Sequence, residues 1–131
     1  MPMHLNQLAW VCVGGACGSG LRFLVTSWTL ARYGTSFPYG TLAVNVVGSL
    51  ILACLFELTR STTWFGPTLQ MALGAGVMGG LTTYSTFNLE VVRYVQEGQV
   101  RTAVVYGSAT LCACLLAGTL GMALGRMIAG R

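Results

Sequence analysis

Three polar positions stand inside otherwise apolar stretches of this 131-residue chain, and each would handle an ion in a different way. The run Gly79-Gly80-Leu81-Thr82-Thr83-Tyr84-Ser85-Thr86-Phe87 puts paired glycines and a row of hydroxyl and β-branched residues where a helix interior disfavours them. Backbone freed by such a break can offer carbonyl oxygens to a cation. Tyr84 and Phe87, three residues apart, share a helical face from which the positive ring edges can meet an anion. Asn45, with Thr41 one turn earlier on the same face, offers two N–H donors and an acceptor. That set can replace water around a small anion without a full charge to trap it. Arg22 would bring a cation able to draw anions toward an opening. Each position also has a plainer reading: a side chain that snorkels to headgroups for Arg22, an interhelical hydrogen bond for Asn45, and a packed kink for the glycine–threonine run.

The elements that must position these residues follow from composition. Hydrophobic residues make up 54% of the chain and charged ones 8%, against about 25% charged in a soluble domain, so the solvent around most of the chain is lipid. A spanning helix needs about 20 mostly apolar residues. Polar breaks divide the chain into four such segments, at about 5–30, 41–58, 67–95 and 100–128, which together read as one integral membrane domain over residues 1–131. Pro67 suits the first turn of the third segment, and the Gly79–Phe87 run predicts that this segment is broken, since irregular backbone survives at membrane depth only where it is buried or lines a cavity. Gly14 and Gly18, Gly76 and Gly80, and Gly121 and Gly125 have the spacing that lets helix backbones approach closely in lipid.

Orientation normally follows an excess of Lys and Arg on the cytoplasmic side. With four spans, Arg60, Arg126 and Arg131 fall on one side and Arg32, Arg93 and Arg101 on the other. Equal numbers give insertion little to choose by, so the expectation is a chain that inserts both ways and pairs as an antiparallel homodimer. The seven cations, all Arg, are scattered singly, which argues against nucleic acid as a partner despite the net charge of +4. The five cysteines form no C-x-x-C pair and none stands at zinc spacing from the lone His4; their surroundings suit packing. No Lys is present for a phosphate-binding loop. No removable signal peptide is evident, so the first segment is expected to remain.

From end to end the sequence resembles the Fluc (CrcB) family of fluoride channels. The resemblance is carried by Gly14-Gly15-Ala16-Cys17-Gly18-Ser19-Gly20-Leu21-Arg22-Phe23, by Gly40-Thr41-Leu42-Ala43-Val44-Asn45, and by Gly79 through Phe87 followed by Glu90, in that order. It implies an all-α, dual-topology antiparallel dimer in the bacterial inner (plasma) membrane, with two pores that pass fluoride passively out of the cytoplasm and so give fluoride resistance. By the same resemblance, Asn45 is the pore amide and Tyr84 and Phe87 are the aromatic-box positions. Thr41, Thr86, Tyr106 and Thr110 are polar groups along the ion path, and Arg22 is the vestibule arginine. Gly79 and Thr82 are the residues whose main-chain carbonyls, two from each chain, hold a structural sodium (Na+) between subunits. Tyr84 departs from the family pattern, which has Phe there; its ring edge is kept and a phenol is added.

Other classes fit less well. A proton-coupled exporter wants a carboxylate at mid-membrane, and the first segment has none; Glu57, Glu90 and Glu97 lie toward segment ends. A membrane scaffold would use the glycines and Asn45 for assembly alone. An enzyme would need a nucleophile, a base and an orienting group brought together, and the sequence gathers no such set.

Overall fold

In the computed structural model, residues 5–130 are described; His4 and Arg131 lie outside them. Helix α1 covers Leu5–Tyr33 and ends at Gly34, whose φ of +74° suits a residue without a side chain and whose N–H turns back to the Leu30 carbonyl at 2.9 Å. Pro38 precedes α2, Tyr39–Ser61, and Thr62 leaves it in extended conformation. Pro67 opens α3, Pro67–Met71, where a missing N–H costs nothing. The chain then widens into a π-helical stretch, Ala72–Met78, and tightens again into a short α4, Gly79–Leu81. Thr82 and Thr83 are extended (φ −81°, ψ 156° and φ −153°, ψ 110°) before α5 begins at Tyr84 and runs to Gln96. Gly98, with φ +76°, turns the chain into α6, Val100–Ile128. The described residues include no strand.

Helices α1, α2 and α6 are long and apolar enough to cross a membrane. The third sequence segment is present as α3, the π-helical stretch, α4 and α5 in succession, so none of its pieces reaches spanning length alone. α2 lies along α6, and α1 lies against the π-helical stretch and α4. The glycine pairs explain both contacts. A Cβ at Gly14 would overlap the Ala72 carbonyl, one at Gly18 the Val77 carbonyl, and one at Gly121 the Leu50 carbonyl; at Gly125 it would lie 2.8 Å from the Cys54 carbonyl. With lipid on the outside, such backbone proximity is what holds helices together.

The buried apolar core is small: Val44, Met78 and Leu81, with Val25, Leu55 and Val77 around them. Large side chains such as Phe23, Leu111 and Leu116 face outward, as expected where the neighbour is lipid or another chain. Cys12, Cys17 and Cys112 lie on these outer faces rather than in the core, and Cys54 and Cys114 are half-buried; all five are free thiols. Near the end of α2 the Glu57 carboxylate is buried, met by Arg126 Nε at 3.5 Å and by the Ser61 hydroxyl at 3.4 Å.

Candidate functional site

The turn at Thr82–Thr83 is held from α2. Asn45 is buried, and its Oδ1 accepts the Thr83 N–H at 2.8 Å while its Nδ2 donates to the Thr83 carbonyl at 3.1 Å. An N–H can only donate and a carbonyl only accept, so these two bonds fix which way the amide faces. Thr83 in turn caps α5: its Oγ1 accepts the Thr86 N–H at 3.2 Å and donates to Thr86 Oγ1 at 3.0 Å.

These bonds decide which carbonyls are set free. In an unbroken helix the Thr83 N–H would serve the Gly79 carbonyl and the Thr86 N–H the Thr82 carbonyl. Both donors are diverted, one to the Asn45 side chain and one to Thr83 Oγ1. Gly79 is exposed and Thr82 half-buried, so each can present a neutral oxygen outward, the donor type that unwound backbone offers to sodium. The donor chemistry of the two residues therefore fits a sodium ion. Arg22 is half-buried on α1, and its Nη1 donates to the Thr82 carbonyl at 3.4 Å.

One turn from Asn45 on the buried face of α2, the Thr41 hydroxyl donates to Glu90 Oε1 at 2.9 Å, and the Tyr106 hydroxyl of α6 donates to Glu90 Oε2 at 2.7 Å. Tyr106 is completely buried (0% exposed). Its ring and that of Phe87 meet edge to face at 5.3 Å between centroids, as do its ring and that of Phe37 at the same distance. Thr110, one turn further along α6, is 4% exposed, and its hydroxyl has no hydrogen-bond partner among the described residues. A cavity of about 530 Å³, lined by Tyr39, Gly40, Arg93 and Tyr94 among others, opens from the outside onto Thr41 and Glu90.

Of the residues singled out from the sequence, the structure brings Asn45, Thr41, Phe87, Tyr106 and Thr110 into one neighbourhood between α2, α5 and α6. Thr86 is exposed beside it, tied to Thr83. Tyr84 stands at its outer edge: it is 77% exposed, with its ring 5.9 Å from that of Phe87. Arg22, Gly79 and Thr82 group separately at the turn. Sequence reasoning missed Glu90 as the acceptor that joins Thr41 to Tyr106. Its position three residues after Phe87, on the same face of α5, was the available signal.

Long apolar helices held by glycine contacts, with a file of buried hydroxyl and amide groups between them, define a multi-pass membrane protein. Residues 9–122 match the family described as CrcB-like protein, Camphor Resistance (CrcB), and the chain belongs to that family. It is 45% identical over 127 residues to a protein of Sorangium cellulosum, covering 96% of this chain and 100% of the relative. It is 44% identical over 126 residues to one of Anaeromyxobacter sp. (strain K), covering 96% and 100%, and 39% identical over 122 residues to one of Rhizobium meliloti, covering 93% and 98%. All three relatives bear the name fluoride-specific ion channel FluC, the name of a channel and not of an enzyme.

Proposed function

We propose that this chain is a fluoride-specific channel. The observation that carries the reading is the buried file of neutral donors, Asn45, Thr41, Tyr106 and Thr110, beside the Phe87 ring, in a chain whose relatives are named for fluoride conduction. Fluoride is small and strongly hydrated, so a pore must offer it several donors while keeping each site weak enough to release it. The Thr110 hydroxyl has no partner among the described residues to give up. Those of Thr41 and Tyr106 are held by Glu90, so an arriving anion takes them in competition with a carboxylate that also repels it. Binding is weakened by that competition, which favours passage over trapping.

The working unit is an antiparallel homodimer of single-domain chains, embedded in lipid, with two pores. Supporting this are the outward exposure of Tyr84 and Gly79, which leaves an aromatic ring edge and a carbonyl for a second chain to meet, and the equal division of arginines. The turn at Thr82–Thr83 is the break of a third span at membrane depth, and Asn45 supplies the satisfaction that freed backbone needs there. Arg22 serves the vestibule and the turn. Gly79 and Thr82 would hold sodium, which when bound ties the chains together and adds positive potential beside the anion route. Neutral HF enters a cell and leaves its anion inside; an inside-negative potential of about 100 mV then supplies about 2.3 kcal/mol per charge for export, so the route needs no pump.

Fluoride efflux from liposomes carrying the purified protein, with chloride as control, tests the reading. Rapid fluoride release with chloride retained is the expected result; vesicles that keep their fluoride overturn it.

A further inference from the structure

The Gly14 and Gly18 stripe of α1 continues, at the same four-residue step, to Arg22. The guanidinium therefore emerges where the backbone contact of α1 with Gly76 and Gly80 ends and the turn begins. The oxygen it meets, the Thr82 carbonyl at 3.4 Å, follows directly on the helical run that closes at Leu81. Free carbonyls at a helix end favour a cation, and this one has lost its own helical donor to Thr83 Oγ1. It is also one of the two oxygens assigned above to sodium, and the inference rests on that reading.

We propose that Arg22 and sodium are alternative cations for the Thr82 carbonyl, so that Arg22 sets how much sodium the dimer requires. A guanidinium and a sodium ion on one oxygen stand only a few ångströms apart, and at that range in a partly buried setting like charges repel strongly. Arg22 holds the carbonyl while sodium is absent and withdraws from it when sodium binds. Arg22 is then a positioning residue for the turn: it keeps the freed oxygen satisfied, and its own charge is what sodium must displace.

The test uses the purified full-length dimer in detergent, with sodium chloride exchanged for N-methyl-D-glucamine chloride at constant ionic strength and the thermal unfolding midpoint as the readout. The wild-type midpoint should rise with sodium. Arg22→Gln should reach half of that rise at about tenfold lower sodium, within the usual range of coupling between sites. Arg22→Lys, which keeps the charge and loses the planar fork, should fall between the two. A wild-type protein stabilised by sodium, with an Arg22→Gln curve unshifted or moved to higher sodium, overturns the inference and leaves the sodium site standing. A wild-type curve indifferent to sodium overturns the sodium reading and this inference together. If Arg22→Gln does not fold, Arg22→Lys decides alone, and an unshifted or upward-shifted curve overturns the proposal.

Discussion

Glu57, near the end of α2, is buried and meets a cation, Arg126 at 3.5 Å, with only Ser61 beside it and its Oε2 without a partner among the described residues. Glu90, on α5, meets no cation among the described residues; both its oxygens are taken by hydroxyls at 2.9 and 2.7 Å, and it borders an open cavity. The first carboxylate is neutralised and serves to join α2 to α6. The second is held by donors that another anion could use. The difference separates a structural ion pair from an exchangeable set of hydrogen bonds, although both are single glutamates among apolar helices.

Four substitutions sharpen or break that contrast. Asn45→Asp adds another carboxylate to the donor file and removes the donor to the Thr83 carbonyl; fluoride efflux should fall at least about tenfold, the effect of roughly 1.4 kcal/mol of added barrier. Normal efflux in this variant would remove the file from the ion's route. Arg126→Ala strands a buried charge that has almost nothing else nearby, and should lower stability by about 2 kcal/mol, between the ranges for exposed and buried pairs, with efflux per folded protein unchanged. Tyr106→Phe keeps the ring contacts and takes one donor from Glu90, which retains Thr41 and access to the cavity; chemical denaturation should show a loss of about 1 kcal/mol. A larger loss here than for Arg126→Ala would reverse the assignment of roles. Glu97→Gln, at the exposed pair with Arg93 3.4 Å away, should change stability by less than about 0.5 kcal/mol.

The helical class and the close contacts at the glycine pairs were legible because each depends on local spacing: an apolar run, or small residues four apart. Asn45 was conspicuous because an amide among apolar residues is costly unless it has partners. Its partners, the N–H and carbonyl of Thr83, lie 38 residues away and no spacing rule reaches them. Glu90 was hidden for the same reason, since Thr41 and Tyr106 converge on it from two other helices. The π-helical stretch Ala72–Met78 has no pattern that distinguishes it from an α-helix. The freed carbonyls of Gly79 and Thr82 become identifiable only when the diverted N–H groups are traced one by one.

One side chain grips both polar groups of Thr83, so the second helix and the start of the fifth cannot slide past each other without breaking two bonds at once. A backbone proton that belongs to no regular ladder should accordingly resist exchange with deuterated solvent as long as the interior of a helix does. That single slow amide would report, from within the least regular part of the chain, when the whole interface lets go.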